Sequence, residues 1–143
     1  MSLRADQRDY KNAFKKHYHA YSNWQGTGSN LSRRLILAYC VECGLKYEVM
    51  KQECLIQTTD AQGEVKTALG QHDLRKLLKC LKKAGMYKFP AIKTRCGDSV
   101  PIYPEEYHQM CRYCIPPDEQ YISAVSKFDH TLEEIAQWIG EGI

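Results

Sequence analysis

No run of apolar residues in this chain reaches the roughly 20 needed to cross a bilayer. The first fourteen residues, MSLRADQRDYKNAF, contain no apolar segment of the kind a secretory signal carries. Both absences predict a cytoplasmic chain with no membrane partner and with reduced thiols. Three catalytic signatures are missing as well: a nucleophile elbow, a glycine-rich phosphate loop and a triad motif. That excludes the hydrolases built on them. The chain has no internal repeat, coiled-coil register or low-complexity segment. A strong charge of either sign is also lacking. The formal net charge of +3 permits an acidic partner without requiring one.

What is present is ordinary for a globule, with 43% hydrophobic and 26% charged residues. A length of 143 residues predicts one domain, 1–143, large enough for a real core. The stretch Ser32 to Lys51, SRRLILAYCVECGLKYEVMK, is almost wholly apolar from Leu35 to Cys43 and has no proline. It reads as a helix buried on nearly every face. Glu42 stands in its middle, and a carboxylate there must be paired or protonated.

The rest of the chain reads as helices around it. From Asp6 to Trp24, the residues Tyr10, Phe14, His17, Tyr18 and Tyr21 recur at spacings of three and four. Gly26 to Asn30 is a turn that can cap the central helix. Leu55 to Gly70 has no sustained period and reads as a loop, with a short extended piece at LIQTT. His72 to Gly85 is a basic helix with a stripe of Leu74, Leu77, Leu78 and Leu81, closed by Gly85. Met86 to Tyr103 is irregular. Pro104 opens a short helix with Glu105 and Glu106 in its first turn, broken by Pro116-Pro117. Asp118 and Glu119 open a last helix striped by Ile122, Val125, Leu132, Ile135 and Ile139, to which Trp138 adds. Five helices and no sheet predict an all-α, up-and-down bundle of four to five helices.

Several clusters could carry chemistry. Arg75, Lys79, Lys82 and Lys83 on the basic helix suit phosphate contacts, although such faces are more commonly just solvated. Lys11, Lys15, Lys16, Arg33 and Arg34 add to that basic pool. Cys40 with Cys43, and Cys111 with Cys114, form two Cys-x-x-Cys units with His108 close by. Their wide separation, the lack of glycine knuckles and the apolar setting of the first pair favour core thiols over a metal site, and no cofactor is expected. Glu42, Lys46, His72, Arg112 and Tyr113 are polar residues able to converge in the bundle. Glu42 and Lys46 pair at i, i+4, His72 is placed to cap its helix, and Arg112 suits a buried carboxylate or a phosphate. The choice lies between a structural Glu42–Arg112 or Glu42–Lys46 pair and a small polar site binding a phosphate-bearing ligand.

RRLILAYCVECGLK, the later HDLRKLL, the Arg112-Tyr113 pair and a long final helix ending near Trp138 together resemble the HEPN superfamily. The likeness is to small bacterial and archaeal HEPN proteins and to the HEPN domain of sacsin, over Leu31 to Trp138. It implies a HEPN-like bundle, often dimeric. Many members are ribonucleases of toxin–antitoxin and defence systems, which use an Arg followed four to six residues later by a His. This chain has no such spacing; its nearest substitute, His108 before Arg112, is reversed. The expectation is therefore a non-catalytic protein binding nucleotide or RNA phosphate, with a homodimer or partner protein. The alternatives are a ribonuclease toxin using His108 and Arg112, and a pure interaction module.

Overall fold

In a computed structural model the chain forms an all-α bundle. The structure describes residues 5–25, 30–90, 92–93, 101–102, 107–113, 115 and 121–143. Among them are six helices: α1 Gln7–Ser22, α2 Asn30–Gln52, α3 Gly63–Leu69, α4 Leu74–Cys80, α5 Tyr107–Arg112 and α6 Ile122–Glu141.

The central helix, α2, runs a little beyond its predicted bounds. Leu37, Ala38, Cys40, Val41, Leu45, Val49 and Met50 are buried along it. It packs against α1, α4, α5 and α6. The residue pairs His17–Tyr39, Phe14–Cys40 and Tyr10–Lys46 step in opposite chain directions, so α1 and α2 are antiparallel. By contrast, Arg34 meets Asp129 and Gly44 meets Ile139, so α6 runs parallel to α2. Three helices approach closely at Gly44, where a Cβ would lie 2.8 Å from both Ile139 Cδ1 and Phe14 Cδ2. The glycine in the middle of an apolar helix is explained by that approach.

α1 begins with a capping box: Asp6 accepts from the Asp9 amide at 2.8 Å, and Asp9 accepts from the Asp6 amide at 2.9 Å. α6 buries Val125, Phe128, Leu132, Ile135, Ala136 and Ile139. Ile122, expected in that stripe, is 59% exposed, because the core contact begins one turn later at Val125.

Leu55 to Gly70 is not one loop. Gln57 is extended beside the start of α1, with an isolated bridge to Asp6, and the Gln7 amide donates to Ile56 O at 2.8 Å. A 3-10 turn, Thr58–Asp60, and α3 follow. α3 buries Ala68 and Leu69 and packs on α4. Two turns are too short to show a sustained period, which hid this helix in the sequence.

The basic helix is half its expected length. Asp73, not His72, caps it by accepting from the Arg75 amide at 3.0 Å. It ends in a Schellman motif before Gly85 is reached: the Lys83 amide donates to Leu78 O at 2.8 Å and Lys82 takes φ 57°. Cys54, φ 55°, closes α2 in the same way. In the irregular stretch, β1 Ile92–Lys93 and β2 Pro101–Ile102 make a two-residue antiparallel pair, too short to change the fold class. Glu105, Glu106, Pro116, Pro117, Asp118, Glu119 and the turn before Asn30 lie outside the described residues.

Candidate functional site

Tyr39, Glu42 and Lys46 stand at i, i+3 and i+7 on α2, so they form a polar stripe on an otherwise apolar helix. α1, α4 and α5 close around it. Lys46 is only 6% exposed, with its Nζ 3.3 Å from Glu42 Oε2 and 5.8 Å from the centre of the Tyr10 ring. Burial first, then Cys43 and Glu42, raises the Tyr10 hydroxyl above its ordinary value. The other carboxylate oxygen, Glu42 Oε1, lies 2.9 Å from His72 Nδ1. An ionised carboxylate only accepts, so His72 Nδ1 is the donor in this contact.

The expected Glu42–Arg112 pair does not form. Glu42 is held by Lys46 and His72, while Arg112 Nη2 donates to the Tyr39 hydroxyl at 2.9 Å. Arg112 ends α5, where the hydroxyls of Tyr113 and Tyr39 take up its guanidinium instead. α5 buries Tyr107, Met110 and Cys111 on one side and turns His108 and Arg112, i and i+4, to the other. The His108 ring lies 4.8 Å from the His72 ring and 6.2 Å from Tyr39. Tyr39 also meets His17 at 6.3 Å, and burial holds His17 below its ordinary value. Tyr113 follows at 65% exposure.

Thus Glu42, Lys46, His72, His108 and Arg112 share one face, with Tyr113 at its edge. Tyr39, Tyr10 and His17 belong to it too and were missed in the sequence. The signal that could have found them is the polar stripe at three, four and seven on α2, and the matching spacing of seven between Tyr10 and His17 on α1.

The basic patch does not hold together as one helical face. Lys82 and Lys83 lie beyond the end of α4; Lys83 Nζ sits 5.1 Å over the Trp138 ring, and Arg75 Nε lies 3.7 Å from Asp73. Of the thiols in the two Cys-x-x-Cys units, Cys40 and Cys111 are buried and Cys43 is half-buried. Cys40 is buried with Sγ 3.7 Å from Phe14 O, and burial pushes its thiol well up. Cys43 is pushed up to about 11, by burial first and by Glu42 second. Protonated thiols are poor metal ligands. Among the described residues no group of three or more His, Cys, Asp or Glu is placed to hold a metal. Cys114 lies outside them.

A second polar knot forms where α1, α2, α5 and α6 meet. Arg34 Nε lies 2.5 Å from Asp129 Oδ2, and the Tyr107 hydroxyl donates to Asp129 Oδ1. Burial raises the Asp129 carboxyl despite both partners, and drives the Tyr107 hydroxyl far up.

No family model, curated protein or solved structure matches this chain. No helix among the described residues is long and apolar enough to cross a membrane.

Proposed function

We propose that the His72–His108–Arg112 face binds a phosphate group, carried by a nucleotide or by RNA, without cleaving it. The observation that supports this best is the separation of charge on the face. Glu42 is taken up by buried Lys46 and by His72, whereas Arg112 is held by neutral hydroxyls, those of Tyr113 and Tyr39, has no carboxylate partner among the described residues, and stays exposed. An oxyanion arriving there meets a guanidinium and two imidazoles, which strengthen as cations once protonated. Tyr113, exposed beside Arg112, offers a ring on which a base can stack. The HEPN resemblance points the same way, and with it a homodimer and a cytoplasmic place in a defence or toxin–antitoxin system.

A second reading, a ribonuclease, draws on the pairing of two imidazoles 4.8 Å apart, one of them oriented by a carboxylate. That geometry suits a general base and a general acid.

Thermal melting with a panel of nucleotides and short RNAs tests binding. A ligand-dependent rise in melting temperature is expected, lost in Arg112→Ala. No shift with any of them contradicts the proposal. Incubation with total RNA separates the second reading: cleavage abolished by both His72→Ala and His108→Ala would replace binding with catalysis.

A further inference from the structure

We propose that a polar cavity between α1, α2 and α6, distinct from the His72–His108 face, binds a small oxyanion through Arg33. The cavity measures about 330 Å³ and is lined by Tyr21 of α1, Arg33 and Arg34 of α2, and Ser126, Asp129, His130 and Glu133 of α6. Ser126, Asp129, His130 and Glu133 follow one another at three, four and seven residues on α6, so a single helical face supplies one wall.

Arg33 lies with its guanidinium 4.3 Å from the centre of the Tyr21 ring. Its Nε is buried and has no hydrogen-bond partner, the one such side-chain nitrogen or oxygen among the described residues. The acids around it are already engaged. Asp129 accepts from Arg34 and Tyr107, and Glu133 Oε1 accepts from the Tyr21 hydroxyl at 2.5 Å. His130 Nε2 is 3.0 Å from Glu134. Arg33 is therefore the cation of this cavity with no ion pair among the described residues. A buried charged donor left without an acceptor is costly, and stacking on a ring satisfies its charge only in part.

An oxyanion in the cavity supplies the guanidinium with a charged acceptor and neutralises it. Asp129 and Glu133 in the same wall restrict it to low charge, and the volume restricts it to a small molecule. A carboxylate and a phosphate monoester share this chemistry.

The test is the side-chain Nε–Hε spectrum of protein labelled with ¹⁵N-arginine, titrated with acetate, with inorganic phosphate, and with chloride at matched ionic strength. The Arg33 resonance, identified by its loss in Arg33→Lys, is expected to move saturably with acetate or phosphate and not with chloride. Acetate alone identifies a carboxylate ligand and phosphate alone a phosphate ligand. The response should persist in Arg112→Ala, which separates this cavity from the other face. A resonance that moves with neither anion, moves equally with chloride, or loses its response in Arg112→Ala overturns the proposal. If Arg33→Lys does not fold, the resonance is assigned in the unmodified protein by its contacts with the Tyr21 ring.

Discussion

Two polar clusters are built on α2, and they differ in which member is left open. In the Asp129 knot, the carboxylate is shared by Arg34 and the buried Tyr107 hydroxyl, and burial still raises it. In the Glu42 cluster, the buried cation Lys46 lies on the inner side of the carboxylate, and the outer side reaches His72, which is exposed. The first arrangement ties helices together and spends its polar groups on one another. The second ties helices together and also presents imidazole and guanidinium groups at the surface. Polar content alone therefore does not distinguish a structural knot from a site; the direction in which the cations face does.

The largest expected effect comes from breaking the inner half of the Glu42 cluster. Glu42→Leu strands Lys46 in the core and should cost about 3 kcal/mol of stability by chemical denaturation. Adding Lys46→Met should recover most of that loss, because a buried pair replaced by apolar groups is often neutral. Asp129→Ala breaks the other cluster, leaving a buried Tyr107 hydroxyl and a half-buried Arg34, and should cost about 2 kcal/mol. A smaller effect separates the clusters by pH. Burial lowers His17 below its ordinary value of 6.5. The unfolded chain thus binds that proton more readily, so stability is lost as pH falls through 6.5 and regained as it rises. His17→Gln should flatten that part of the stability profile between pH 7 and pH 5. The smallest effect is expected at Arg112, which is fully exposed: Arg112→Ala should leave the denaturation midpoint unchanged, whereas binding should suffer.

Much of this was readable from residue order. The apolar run of α2, the period of α6 and the i, i+4 relation of Glu42 and Lys46 are local properties, and His72 was already among the polar residues able to converge with Glu42. What escaped reading depends on tertiary contact. Lys82 closes α4 in a left-handed conformation because the leucine stripe is spent by Leu81, although Gly85 looked the better stop. α3 buries only Ala68 and Leu69, too few residues for a pattern. Arg112 and Tyr39 are separated by 73 positions, and no local rule pairs them. Arg33 and Arg34, neighbours in sequence, part company only because α1 offers one a ring and α6 offers the other a carboxylate.

The most direct measurement is calorimetric titration of the protein with a mononucleotide and with a short single-stranded RNA at low salt. The comparison is between the unmodified chain and the Arg112→Ala and His108→Ala variants, each first shown to melt like the parent. Phosphate binding at the His72–His108–Arg112 face predicts saturable binding by at least one of the two ligands, weakened about tenfold or more in each variant. Undiminished binding in both variants, or no binding by the parent, would contradict it.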